Sequence, residues 1–101
     1  MLAIRYAHLD RLRPVLVLTR DVVRPGMTSV TVAPIIDHGR GLRTEVAVGA
    51  VNGLDHNAVV SCDNIVTIPA DNLDRVIGFL LPSQESALAA AISAAFDLKV
   101  G

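Results

Sequence analysis

Short apolar runs, separated by polar or glycine- and proline-containing breaks, fill the first eighty positions of this chain. Runs of this length that are rich in valine, isoleucine and threonine are typical of β-strands. The pattern predicts five or six strands, at residues 2–9, 13–20, 28–36, 44–51, 59–68 and 75–80. The polar break at 10–12 is short enough for the first two strands to form a hairpin.

The pattern becomes helical from Pro82 onward. Apolar pairs recur at 87–88, 91–92 and 95–96, which is the three- and four-residue spacing of one helix face. Pro82 suits the first turn of such a helix, because its missing N–H has no partner there anyway. Strands followed by one helix, with no alternation of the two, predict the α+β class: a small antiparallel β-barrel or sheet closed by a C-terminal α-helix.

Turn-forming residues separate the runs. Arg24-Pro25-Gly26 predicts a turn, and residues 37–41 are too rich in glycine for regular structure. Residues 70–73 predict a turn or a short 3-10 segment.

Length and composition narrow the class of protein. A chain of 101 residues predicts a single domain, 1–101, and 51% hydrophobic residues predict a globular one. Aromatic residues make up only 3%, which argues against RNA-binding modules that stack bases on exposed rings. A single cysteine, Cys62, excludes an internal disulfide and a cysteine zinc site, and suits a reducing cytoplasm. No apolar run reaches the roughly 20 residues of a membrane span, so we expect no membrane association.

The net charge of −1 conceals an uneven distribution. Residues 1–50 contain seven arginines and carry +3, whereas residues 51–101 carry −4. Because guanidinium groups bind phosphate and carboxylate through two parallel hydrogen bonds, the first half suits an anionic ligand. Chance in an arginine-biased composition is the alternative explanation.

The segment from Arg13 to Arg20 is the most informative one. An arginine followed by Pro14 leads directly into the apolar run Val15–Leu18. Proline disfavours the helical conformation of the residue before it, so Arg13 is predicted to be extended at the mouth of a buried strand. A guanidinium fixed there is well placed to bind an anion, although a solvated charge flanking a strand explains the same pattern.

Four segments in a fixed order resemble one protein family. They are residues 13–21 (Arg-Pro-Val-Leu-Val-Leu-Thr-Arg-Asp), 32–42 (Val-Ala-Pro-Ile-Ile, then Arg-Gly-Leu), 60–68 (Val-Ser-Cys-Asp-Asn-Ile-Val-Thr-Ile) and 73–82 up to the start of the helix. Each segment alone is weak evidence, since apolar strands are common. Together and in order they resemble the MazF/PemK toxins of bacterial toxin–antitoxin modules.

The resemblance implies a compact SH3-like barrel with a C-terminal helix, usually a homodimer. It implies a cytoplasmic toxin that a cognate MazE-like antitoxin holds inactive, and an activity that cleaves single-stranded RNA without metal or other cofactor. The related CcdB branch shares the fold but acts on DNA gyrase.

The chemistry of that activity indicates candidate residues. RNA cleavage without metal requires a base for the 2′-OH, stabilisation of the phosphoryl oxygens and an acid for the leaving 5′-oxygen. The resemblance assigns the second role to Arg13, whose guanidinium is always charged. It assigns the base, or the group that orients Arg13, to Asp63, for which a structural polar group is the alternative.

Two histidines and three arginines complete the candidate set. His38 lies in the loop after the third strand and can exchange a proton near neutral pH. The resemblance places His8 only loosely in the RNA site, and a surface histidine is the simpler interpretation. Arg11, Arg40 and Arg43 are candidate phosphate contacts, with a solvated surface as the alternative.

The sequence departs from the family in three places, the first of which covers two residues. The family's glycine and acidic residue near the start are absent, Ile36 stands where the nuclease branch has serine or threonine, and Ser61 replaces the arginine of the PemK branch. Losing one transition-state donor typically costs about 10²–10³ in rate. The alternative function is therefore a binding protein of the same fold, which acts on gyrase or only binds antitoxin. A small SH3-like adaptor would need aromatic residues in a groove, and the chain has few.

Overall fold

The computed structural model describes residues 1–19 and 28–98. The turn predicted at Arg24-Pro25-Gly26 lies outside these ranges. The regular elements are β1 (Ala3–His8), β2 (Leu12–Val17), β3 (Ser29–Ile36), β4 (Glu45–Val48), β5 (Ala58–Ser61), β6 (Val66–Pro69), β7 (Leu73–Phe79) and α1 (Glu85–Ala95).

The strands form one curled antiparallel sheet in the order β4-β5-β3-β2-β1-β7, and β6 also pairs with β3. The predicted hairpin of β1 and β2 is present, with Ile4 opposite Leu16 and His8 opposite Leu12. One helix, α1, follows the last strand. The predicted α+β class, a small antiparallel barrel or sheet closed by a C-terminal helix, is confirmed, and the sheet curls into a half-barrel.

Strand β2 lies at the centre of two hydrophobic clusters on opposite faces of the sheet. Leu16 packs into the cluster that contacts α1, which also contains Ile4, Val60 and Leu88. Its neighbours Val15 and Val17 belong to a second cluster, formed mainly by β2, β3 and β6. A strand buried on both faces needs apolar residues at every position, which explains the unbroken run after Pro14.

The prediction of a single strand at 59–68 is wrong, because this segment forms two strands. A 3-10 turn, Cys62–Asn64, separates β5 from β6. Both pair with β3: Val60 lies opposite Ile35 and Val66 opposite Val32, so the turn inserts three extra residues. Cys62 stays buried in this turn, and burial raises the pKa of its thiol. Because Cys62 in this turn is apolar, the two strands were predicted from the sequence as one.

Two other boundaries differ from the sequence pattern. The strand predicted at 44–51 ends at Val48 and is followed by a 3-10 turn, Ala50–Asn52. The helix begins with a 3-10 turn, Pro82–Gln84, before α1 proper. A fourth 3-10 turn, Ala70–Asn72, confirms the short segment predicted at 70–73.

Asn52 is a buried amide that joins three parts of the chain. Its Oδ1 accepts a hydrogen bond from the Gly49 N–H at 3.1 Å. Its Nδ2 donates to the Phe79 carbonyl at 3.0 Å and to Gln84 Oε1 at 2.6 Å. The turn after β4, the end of β7 and the start of the helical segment are therefore held by one side chain.

We expect Asn52→Ala to destabilise the fold by about 2–3 kcal/mol, because it leaves buried backbone groups without partners. For a domain of this size the midpoint of thermal unfolding should fall by about 10–20 °C. Asn57→Ala, at an exposed position five residues on, is the control and should change stability by less than about 0.5 kcal/mol. Equal melting temperatures for the two variants would contradict this role of Asn52.

Candidate active site

Arg13 lies at the second position of β2, directly before Pro14 and opposite Ala7 of β1. Its Nε donates to Asp10 Oδ1 at 2.8 Å, and its Nη2 donates to Oδ2 at 3.0 Å. The hairpin turn, closed by a hydrogen bond from the Leu9 N–H to the Arg11 carbonyl, brings Asp10 into this position. The side chain of Arg13 remains 30% exposed, so its guanidinium has a fixed direction and an open side.

Arg13 and Asp10 each stabilise the ionised form of the other. The hydrogen bond from Arg13 lowers the pKa of Asp10, and the hydrogen bond and charge of Asp10 raise the pKa of Arg13. The pair is therefore fully formed above the ordinary range of an aspartate. It is lost only as the pH falls through the lowered pKa of Asp10.

The prediction that Asp63 orients Arg13 is wrong. Within the chain, Asp10 contacts the guanidinium, whereas Asp63 lies on the turn after β5 and accepts a hydrogen bond from the Thr44 hydroxyl at 2.6 Å. Continuing the register of β2 and β3 places Arg13 opposite Ile36, which itself lies opposite Val59 at the start of β5. Asp63 follows the other end of β5, so the two groups lie at opposite ends of these strands.

A second carboxylate, Asp37, lies closer to Arg13. Its Oδ1 is 2.8 Å from Nε2 of His56. The hydrogen bond with His56 lowers the pKa of Asp37, and the charges of His38 and Arg11 act in the same direction. The charge of Asp37 in turn contributes to the raised pKa of Arg13. Two carboxylates, two histidines and two arginines are therefore grouped around the start of β2 and the end of β3.

A cleft of about 130 Å³ opens beside this group. Its walls include Tyr6, Pro14, Asp37 and His56, together with apolar residues of β3, β5 and β7. Arg75 covers the ring of Tyr6, with 4.8 Å between its Cζ and the ring centroid. The cleft combines apolar residues with the titratable side chains of Asp37, Asp55 and His56.

The other predicted site residues lie in different parts of the structure. His38 lies in the loop after β3, beside Asp37. Arg40 lies in the same loop, where its backbone N–H donates to the Glu45 carboxylate at 2.9 Å. Arg43 lines a separate surface groove along α1, and Nε2 of His8 lies 3.7 Å from Asp74 Oδ2 of β7. The structure groups Arg11, Arg13 and His38 but not Arg43, His8 or Asp63.

The two substituted family positions, Ile36 and Ser61, offer no free polar side chain to a ligand. Ile36 is half-buried at the end of β3 and has no hydroxyl. Ser61 is buried, and its Oγ accepts a hydrogen bond from Asn64 Nδ2 at 2.8 Å. Neither residue provides a group that could contact a phosphate.

Sequence reasoning missed Asp10 as the partner of Arg13 and missed His56 altogether. The signal for Asp10 was available, because it precedes Arg13 by three residues across a predicted turn. No local signal connects His56 with Asp37, since they are 19 residues apart and meet only through the pairing of β3 with β5.

Across 1–19 and 28–98, no three histidine, cysteine, aspartate or glutamate side chains are grouped as metal ligands. Over the same ranges, no helix has the length and apolar character needed to cross a membrane.

The chain is similar in sequence to known proteins. The model of the PemK-like, MazF-like toxins of type II toxin–antitoxin systems matches residues 5–96. Endoribonuclease MazF3 of Mycobacterium tuberculosis is 63% identical over 98 residues, which cover 97% of this chain and 95% of that protein.

Comparison with solved structures shows that the fold is similar as well. The Mycobacterium tuberculosis toxin MazF-mt6 superposes with a TM-score of 0.94 at 62% identity, covering 97% of this chain and 99% of that one. A mycobacterial endoribonuclease bound to its cognate antitoxin shares the fold at 22% identity, with a TM-score of 0.85 over 98% of this chain and 95% of that one. The chain therefore belongs to the PemK-like, MazF-like toxin family of type II toxin–antitoxin systems.

Proposed function

We propose that this chain is the toxin of a toxin–antitoxin module and cleaves single-stranded RNA without metal. The observation that carries the proposal is the fork of Arg13, fixed by Asp10 beside a cleft with titratable side chains. The relative that is 63% identical is named an endoribonuclease, which supports the same activity here.

Arg13 has the donors that such a reaction needs. A guanidinium carries five N–H groups, and Asp10 accepts from two of them. The other three are available for the non-bridging oxygens of a phosphate. Because the direction of the guanidinium is set before RNA binds, charge that develops on those oxygens is stabilised without further reorganisation.

Phosphates on either side of the scissile one need further cations. We assign this role to Arg11, on the same hairpin as Arg13, and to Arg40, in the exposed loop after β3. Arg43 and His8 lie elsewhere on the surface and would contact only a longer RNA. The positive charge of residues 1–50 supports an electrostatic contribution to binding.

We propose a cytoplasmic homodimer that a MazE-like antitoxin neutralises. The antitoxin complex of a mycobacterial endoribonuclease and the MazE–MazF structures from Deinococcus radiodurans have this fold, which supports an antitoxin partner. A buried free thiol, Cys62, suits a reducing compartment.

Ile36 favours a second candidate function, a binding protein without nuclease activity. An aliphatic side chain at the end of β3 cannot replace a phosphate-binding hydroxyl. Such a protein would bind antitoxin or act on gyrase by contact alone.

The activity is tested by incubating the full chain with a long single-stranded RNA in excess EDTA. We expect discrete fragments, and we expect a DNA strand of the same sequence to remain intact because it has no 2′-OH. Intact RNA with and without added Mg²⁺ would favour the binding protein. Cleavage only with Mg²⁺ would overturn the metal-independent mechanism.

A further inference from the structure

The pair of His56 and Asp37 has the geometry of a positioned base. Asp37 Oδ1 lies 2.8 Å from His56 Nε2, and the two side chains are 65% and 60% exposed. A carboxylate only accepts hydrogen bonds, so Nε2 must carry the proton that joins them. In neutral histidine this leaves Nδ1 with a free lone pair, which makes it the nitrogen that can accept a proton from a ligand.

This pair borders the position that RNA would occupy. His56 and Asp37 line the same cleft as Pro14, the residue that follows Arg13. Asp37 is close enough to Arg13 for its charge to raise the pKa of the guanidinium. Asp37 also directly follows Ile36, the position that lacks the family's hydroxyl. The pair therefore supplies polar chemistry where the usual residue cannot.

We propose that His56 is the general base of RNA cleavage and that Asp37 is its positioning residue. This rests on the proposed endoribonuclease function. His56 Nδ1 takes the proton of the 2′-OH as the 2′-oxygen forms its bond to phosphorus. The bond from phosphorus to the 5′-oxygen breaks, and that oxygen receives a proton from an acid or from water. The products are a 2′,3′-cyclic phosphate and a free 5′-OH, and no electrons are exchanged with another reagent.

Several charged groups act on this base from the neighbouring elements. Asp37 binds it directly, and Asp55 precedes it and lines the cleft. Arg11, Arg13 and His38 oppose the charge of Asp37 from the hairpin and from the loop after β3, and Arg75 of β7 lies over Tyr6. The hydrogen bond with His56 and the charges of the surrounding cations lower the pKa of Asp37, so the carboxylate stays ionised and can hold the Nε2 proton.

His38 fits the role of base less well than His56. The carboxylate of Asp37 forms its hydrogen bond with His56, whereas His38 influences it only through charge. A base needs a fixed direction toward the proton that it removes, and the hydrogen bond provides this for His56 alone of the two.

The test compares His56→Gln with the wild-type protein on one cleavable RNA. We expect kcat to fall about 10²-fold with KM nearly unchanged, since glutamine cannot take a proton at neutral pH. The acidic limb of the kcat/KM profile against pH, which reports the base, should disappear. Asp37→Asn should give a smaller loss and shift that limb. Asp71→Asn, an exposed carboxylate on the turn Ala70–Asn72, is the control and should behave as wild type.

Two further measurements separate chemistry from folding. Added imidazole should partly restore cleavage by His56→Ala but not by His56→Gln, in which the side chain fills the space. Binding of an RNA with 2′-deoxy nucleotides, which cannot be cleaved, should be equal for all variants. A His56→Gln protein that cleaves within threefold of wild type, or keeps the acidic limb, would overturn the role of His56. Absence of cleavage by the wild type would instead overturn the proposed function itself.

Discussion

Arg13→Ala is expected to lower the rate of RNA cleavage about 10³-fold. The substitution removes the guanidinium that Asp10 holds in place, next to Pro14 in the wall of the cleft. Loss of a preorganised donor to a developing oxyanion costs about 10²–10³ in rate, and loss of an arginine that carries full charge costs at least the upper value. Single-turnover cleavage in EDTA measures the effect on chemistry without the contribution of product release.

Variants at and around Arg13 distinguish charge from geometry. Arg13→Lys keeps the charge but cannot form two parallel bonds, so its rate should lie between those of wild type and Arg13→Ala. Asp10→Asn should lower the rate less than Arg13→Ala, because the guanidinium remains but loses its ionic partner. Arg5→Ala removes a guanidinium of β1 that bonds to the Asp74 backbone and is the control, with a rate close to wild type. A rate for Arg13→Ala within tenfold of wild type would contradict the mechanism.

Gly78→Ala is expected to be the most destabilising of the substitutions considered, at about 3 kcal/mol or more. A Cβ at this position would lie only 2.0 Å from the Asn52 carbonyl oxygen, and backbone cannot move aside as a flexible side chain can. Here β7 passes directly against the turn that holds Asn52, and Gly53 on that turn has the same close contact with Ile77. We expect a fall of at least about 12 °C in the midpoint of thermal unfolding.

Gly41→Ala is the matched control for this prediction. Gly41 has φ of +73° but no atom within 4 Å of a built Cβ, so alanine there adds conformational strain without a collision. We expect a cost of about 1 kcal/mol. Chemical denaturation of both variants compares the two effects, and a larger loss for Gly41→Ala than for Gly78→Ala would contradict the close approach of β7 to the turn.

The local pattern of apolar and polar residues was sufficient to predict most of the fold. The apolar run after Pro14 is buried on both faces of the sheet, and the change of period at Pro82 marks the helical segment. The break between β5 and β6 was missed, because Cys62 in the intervening turn is as buried as a strand residue. Cys62 has the hydropathy of a strand residue, whereas Asp63 and Asn64 after it are polar and exposed and were the available sign of a turn.

The candidate site was predictable only in part. Arg13 was found because proline acts on its nearest neighbour, and Asp10 lies within one turn of it. Asp63 was assigned to Arg13 because it interrupts an apolar run in the segment that resembles the family. The three extra residues of the turn after β5 instead place it at the far end of the strand, beside Thr44.

The sequence by itself determined most of the strands, the helix and the position of one arginine, since each depends on residues adjacent along the chain. Only the tertiary structure brought His56 to Asp37, because the antiparallel register of β3 and β5 decides which distant residues become neighbours. The contact of Gly78 with Asn52 has the same origin. Register is set by the packing of whole faces of the sheet, which no short segment contains.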